Sequence, residues 1–231
     1  MKYRIEKILC SALSITRQEA KKFLRSDRIK VNGAIINKTC NVDATDDLIM
    51  IDDEIITFKQ NYYYMFNKPS GCITANYDRH QETIFDLLEL DKNKFFAIGR
   101  LDKDTEGLLI ISNDGKLGHK ISSPKSKIPK KYFFVTKEDM NDLLDNKHSK
   151  PITISNGYVV NEYHLELIDK NSGYLTIYEG KFHQVKEMLA FLGYTISYLK
   201  RISIGSLELD DSLELGHIKE LSEEEIEMVF K

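Results

Sequence analysis

From residue 62 to the C-terminus, short apolar runs of strand length alternate with a few segments of helical length, in no repeating order. The helical segments fall at residues 83–90, 117–121, 137–145 and 183–192, and strand-like runs include 62–66, 132–136, 164–167, 175–178 and 195–199. A doubly wound parallel sheet needs a crossover helix after each strand. This order lacks that repeat and predicts an α+β domain instead.

The first 60 residues read as a separate small module. Ile5, Ile8, Leu9, Ala12 and Leu13 recur at helical spacing, and Thr16-Arg17-Gln18-Glu19 is a capping box opening a second helix through Leu24. On that helix Ala20, Phe23 and Leu24 face inward, leaving Arg17, Lys21, Lys22 and Arg25 on the surface. Arg28-Ile29-Lys30-Val31, the Asn32-Gly33 turn and Ala34-Ile35-Ile36 then form a basic hairpin. The expected division is residues 1–58, a linker at 59–61, and a larger domain at 62–231.

The net charge is −3, yet it is unevenly distributed. Residues 1–40 carry ten Lys and Arg against three acids, and residues 116–131 carry six lysines and no acid. Phosphate binding responds to the local field, because more distant charges are screened. Two basic patches on an acidic body therefore suit a nucleic-acid partner. The three cysteines are far apart and form no Cys-x-x-Cys pair, and the six histidines lack ligand spacing, so neither a disulfide framework nor a metal site is expected. No run reaches membrane-spanning length and the N-terminus lacks a signal peptide's apolar stretch, so a reduced, cytoplasmic setting is expected.

The segment Gly99-Arg100-Leu101-Asp102-Lys103-Asp104-Thr105-Glu106-Gly107-Leu108-Leu109 reads either as a solvated turn whose Asp102 and Thr105 satisfy local backbone groups or as a rigid mount for a functional carboxylate. It places Asp102 on a turn between two glycines, with an apolar run behind. Glycine permits tight turns and close backbone approach, so Asp102 can be held rigidly with its charge balanced by Arg100 or another cation.

That segment resembles the signature of the RNA pseudouridine synthases, in the branch that modifies bacterial ribosomal RNA one site at a time. The resemblance extends over Asn67-Lys68-Pro69-Ser70-Gly71, Ser112-Asn113-Asp114-Gly115 and Lys130-Lys131-Tyr132. It continues through Glu179-Gly180-Lys181-Phe182-His183-Gln184-Val185-Lys186 and Leu199-Lys200-Arg201-Ile202-Ser203-Ile204-Gly205. The first module likewise resembles the S4 RNA-binding domain, although Arg4-Ile5-Glu6 stands where that family usually has Arg-Leu-Asp. Where relatives have a second basic residue after Gln-Val-Lys, this chain has Glu187.

The resemblance implies a mixed, mainly antiparallel sheet with a central cleft, and Asp102 in that cleft as catalytic nucleophile. It implies Lys181 as the cation beside Asp102, Tyr132 as the ring that stacks on a flipped uracil, and Leu199 as the far wall of the base pocket. Arg100 is left between insertion into RNA, a phosphate contact and a structural salt bridge. Arg17, Lys21, Lys22, Arg25, Arg28, Lys30, Lys130 and Lys131 are the expected RNA-binding cations. Isomerising uridine involves no net redox change and consumes no water, so no cofactor is expected. Ser123-Pro124-Lys125 and Phe182-His183-Gln184 resemble the small-subunit branch, which makes uridine 516 of 16S rRNA the implied target. A 23S rRNA uridine, or a non-catalytic ribosome-assembly factor, are the alternatives. A monomer acting on 16S rRNA or an assembling small subunit is expected.

Overall fold

The computed structural model describes residues 2–13, 15–44, 46–145 and 150–231. The chain forms two compact units, Met1–Gln60 and Asn61–Lys231.

The first unit contains β1 (Lys2–Arg4), α1 (Ile5–Leu13), α2 (Arg17–Leu24), β2 (Ile29–Val31), β3 (Ala34–Ile35), β4 (Asn41–Asp43), β5 (Ile49–Ile51) and β6 (Glu54–Ile55). Ile5, Ile8 and Leu9 of α1 meet Ala20 and Leu24 of α2 over Ile29, Val42 and Ile49 from the strands. The capping box forms as the sequence predicts. The Thr16 amide donates to Glu19 Oε2 at 2.8 Å and the Glu19 amide donates to Thr16 Oγ1 at 3.3 Å. Asn32 and Gly33 both have positive φ, 51° and 82°, which the tight turn between β2 and β3 requires.

The second unit begins with β7 (Tyr63–Lys68), α3 (Ile84–Leu87), β8 (Phe96–Ile98), β9 (Glu106–Ser112), α4 (Gly115–Ser122), β10 (Lys130–Thr136) and α5 (Asn141–Asp145). There follow β11 (Ile152–Thr153), β12 (Val159–Val160), β13 (Tyr163–Asp169), β14 (Ser172–Ile177), α6 (Gln184–Phe191), β15 (Ile196–Ile204), β16 (Leu207–Glu208), β17 (Ile218–Glu220) and α7 (Glu223–Glu227). The main sheet runs β13-β14-β10-β15-β9-β7-β17, with β16 added to β15 and β8 to β9. Its pairings are antiparallel except for β15 against β9, as an α+β class with a mixed, mainly antiparallel sheet requires.

β9 explains why one apolar run feeds two cores. Leu109 and Ile111 point into a core that includes Val185, Met188 and Leu189 of α6. Leu108 and Ile110 point to the opposite face, against Ile121 of α4 and Ile226 of α7. A strand covered on both faces reads as continuously apolar rather than alternating.

Two of the expected helices are shorter than their apolar pattern. α3 ends at Leu87, and Leu88 continues as extended chain with its side chain still in the core. Before α5, the Lys137 amide donates to the Thr195 carbonyl and the Met140 amide to the Lys170 carbonyl. Residues 137–140 therefore bond to neighbouring loops instead of turning into a helix. Among the described residues, no helix is long and apolar enough to cross a membrane.

Candidate active site

Only two residue pairs, Lys200 with Glu106 and Arg201 with Gly107, join β15 to β9. Asp102 lies on the loop from β8 to β9, beside this short parallel contact. Gly107 (φ +99°) makes the contact possible, since a Cβ there would stand 2.3 Å from the Arg201 carbonyl oxygen. The glycine thus serves a strand crossing, while Gly99 (φ +77°) supplies the turn before Asp102.

The loop backbone is fastened from below. Lys68, the last residue of β7, is fully buried, and its Nζ donates to the carbonyls of Pro69 (2.9 Å), Lys103 (3.3 Å) and Thr105 (3.0 Å). Burial lowers the Lys68 pKa, against the pull of nearby acidic groups. Thr74 Oγ1 donates to the Leu101 carbonyl at 2.7 Å and accepts the Leu101 amide at 3.1 Å. The Gly71 amide donates to the Lys103 carbonyl at 2.8 Å. Asn67-Lys68-Pro69-Ser70-Gly71 reads in the sequence as a turn leaving the first strand of the sheet. In the structure Asn67 and Lys68 are buried strand residues, and Lys68 is a strut for the Asp102 loop.

The cation that pairs with Asp102 is Lys186, not Lys181. Lys186 Nζ lies 3.1 Å from Asp102 Oδ2 and 2.5 Å from Asp104 Oδ1. Partial burial opposes the Lys186 charge, but the bonds to Asp104 and Asp102 outweigh it and raise its pKa. The physical reason is helix geometry. Lys186 is the third residue of α6, and helical side chains lean back toward the N-terminus, so its ammonium reaches the loop. Lys181 precedes the helix, and its Nζ sits over the Tyr158 ring at 4.4 Å. His183 approaches Asp102 as well, with Nε2 3.5 Å from Oδ1. It occupies the N-cap of α6 with a left-handed φ of +51°, a conformation uncommon for a residue with a side chain.

These groups line one cavity of about 540 Å³. Asp102, His183 and Lys186 form one wall, and Tyr132, Leu199 and Arg201 another, with Lys181 and the exposed Arg100 also in the lining. Tyr132 and Leu199 are 7% and 4% exposed and belong to the core on the α6 side. Arg100 makes no ion pair among the described residues. Phe182, 77% exposed, stacks on His183 with ring centroids 3.7 Å apart.

The other predicted RNA-binding cations separate into groups. Arg17, Lys21, Lys22 and Arg25 are exposed on and just beyond α2. Arg28 and Lys30 are paired with Asp52 and Asp53. Lys130 lines the cavity, whereas Lys131 projects to the other face of β10, over the Tyr174 ring at 4.1 Å.

Residues 62–191 match the family described as RNA pseudouridylate synthase. The chain belongs to the RNA pseudouridylate synthase family. It is 35% identical to an uncharacterized RNA pseudouridine synthase of Bacillus subtilis, covering 98% of each chain. It is also 36% identical to ribosomal small subunit pseudouridine synthase A of Vibrio vulnificus, covering 99% of this chain and 100% of that one. A crystal structure of a pseudouridylate synthase superposes with a TM-score of 0.69 at 33% identity, covering 98% of this chain and 99% of that one.

Sequence reasoning about this synthase missed Lys186, Lys68 and Arg201 as site residues. A helix over residues 183–192 is legible, and with it Lys186 in the first turn; the direction of its side chain is not. Lys68 and Arg201 had no such signal, because a buried cation and a surface cation read alike in sequence. Glu187, which breaks the family's basic pattern, has a local role: it accepts the Ser155 amide at 3.1 Å and the Ser155 hydroxyl at 2.7 Å.

Proposed function

We propose that this synthase converts a single uridine of 16S rRNA, at position 516, to pseudouridine, with Asp102 as nucleophile. The observation that carries this reading is the Asp102–Lys186 pair in a cavity walled by Tyr132 and Leu199. A carboxylate fixed beside a cation is ready to attack or to stabilise positive charge at the sugar. The cavity admits a base only once that base has left its stack, and the Tyr132 ring offsets part of the unstacking cost. The N1–C1′ bond breaks, the base turns, and C5 joins C1′; C5 gives up its proton and N1 gains one. Atoms and electrons balance without a cofactor.

The small-subunit target draws support from relatives named ribosomal small subunit pseudouridine synthase A. The basic face of α2 supports RNA docking by an S4-like first unit. The test treats 16S and 23S rRNA, free and assembled with ribosomal proteins, with wild type and Asp102→Asn, then maps pseudouridine by carbodiimide modification and primer extension. One new stop at position 516 of 16S rRNA, absent with the variant although it still binds, is the expected result. A stop confined to 23S rRNA would move the substrate, and binding without any stop would favour an assembly factor.

A further inference from the structure

Beside Tyr132 the cavity wall holds two cations with no carboxylate partner among the described residues. Lys130 and Tyr132 alternate onto one face of β10, and Arg201 on β15 lies in register with Tyr132, so the three side chains adjoin in the lining. Arg201 is 3% exposed. Its Nε donates to the Leu108 carbonyl at 2.7 Å and its Nη1 stands 3.4 Å from the Tyr132 hydroxyl. Its Nη2 is buried with no partner. Lys130 Nζ donates to the Ile128 carbonyl at 2.8 Å, and an ammonium has two further protons to give.

Of the acids that line the cavity, Asp102 is held by Lys186, and Glu179, whose Oε2 is buried without a partner, makes no ion pair with Lys130 or Arg201 among the described residues. Burial, reinforced by the like charge of Arg201, brings the Lys130 pKa down to about 8. A buried and a half-buried cation side by side without a paired carboxylate are costly, and an incoming anion removes that cost. A guanidinium edge with an adjacent ammonium suits a tetrahedral oxyanion, which accepts several charge-assisted bonds at once. A neutral uracil carbonyl would leave both charges uncompensated.

We propose that Lys130 and Arg201 form a subsite for one phosphodiester of the bound RNA, next to the nucleotide whose base enters the cavity. This rests on the reading of the protein as a uridine isomerase. Arg201 then links substrate binding to the fold, because it also ties β15 to β9 and to Tyr132.

The test uses full-length rRNA assembled by ligation, with a neutral methylphosphonate at either linkage flanking the mapped uridine. Pseudouridine formation is followed with wild type, Lys130→Met and Lys130→Arg. Neutralising one of the two linkages should lower wild-type kcat/KM about tenfold or more, the range of a hydrogen bond to a charged group. With Lys130→Met, where Arg201 still faces the linkage, the same replacement should cost at least about threefold less than in wild type, and Lys130→Arg should restore the sensitivity. An active wild type indifferent to both neutral linkages would overturn the subsite alone, as would an undiminished loss in Lys130→Met. A wild type that makes no pseudouridine on unmodified rRNA would sink the isomerase reading, and the subsite with it.

Discussion

One ammonium, that of Lys186, serves two carboxylates of different exposure. The Asp102 side chain is 26% exposed and that of Asp104 is 69% exposed, which separates their expected roles. Asp102→Asn should abolish pseudouridine formation without loss of folding. Asp104→Asn should leave activity within about threefold, because the pair with Asp102 survives and an exposed ion pair contributes little. Lys186→Gln should cost about a hundredfold or more, the magnitude typical of a lost electrostatic stabiliser, with Lys186→Arg partly active. Single-turnover rates decide among these. Lys130 gives a pH signature in stability. Its folded pKa of about 8 lies below the ordinary lysine value, so the folded state releases this proton before the unfolded chain does. The cost of its buried charge is present below about pH 8 and is relieved toward about pH 10. Denaturant titrations should show wild type gaining about 2 kcal/mol over Lys130→Met across that window; a constant difference would contradict the burial of this charge. The turn that carries Asp102 is legible in the sequence because the carboxylate, the turn glycines and the apolar strand are contiguous. Its cation was not, because the choice between Lys181 and Lys186 depends on where a helix begins and which way its first turn leans.

The loop that presents Asp102 is held by its neighbours more than by its own sequence. Lys68 from β7 donates to three carbonyls, two of them on the loop, and Thr74 bonds the loop at Leu101. Lys68→Met would strip those carbonyls of their shared donor in a buried setting. It should destabilise the second unit by about 2–4 kcal/mol and lower activity further than that loss of folded protein explains. Unchanged denaturation midpoints would contradict the strut. Gly107→Ala should be at least as damaging, because its Cβ would collide with the Arg201 carbonyl where β9 meets β15. The helices α1 and α2, the Asn32-Gly33 hairpin and most strands of the sheet follow from periodicity and turn residues. Helices α3 and α5 come out short because Leu88 and Met140 are drawn into the core by partners distant in sequence, which local pattern cannot convey. The pairings of β15 are equally non-local: with β9 it sets Arg201 against Gly107, and with β10 it sets Arg201 beside Tyr132.

Charge is divided unevenly between the two units. The exposed cations Arg17, Lys21, Lys22 and Arg25 of the first unit have no ion-paired acids among the described residues, unlike Arg28 and Lys30. RNA affinity should therefore fall steeply with salt. A Lys21→Gln, Arg25→Gln variant should show a log–log salt slope reduced by about 0.7–0.9 for each phosphate it no longer neutralises. Its turnover of bound RNA should match wild type. An unchanged slope would remove this face from the docking surface. Uneven charge was visible in the sequence, but the neutralisation of Arg28 and Lys30 by a facing turn was not. The most direct measurement of the whole account is tritium release from 16S rRNA labelled at C5 of uridine, since isomerisation must expel that hydrogen. Wild type should release one tritium per RNA and then stop, while Asp102→Asn releases none. Release by the variant, or release by wild type that continues past one per RNA, would contradict a single-site isomerase built on Asp102.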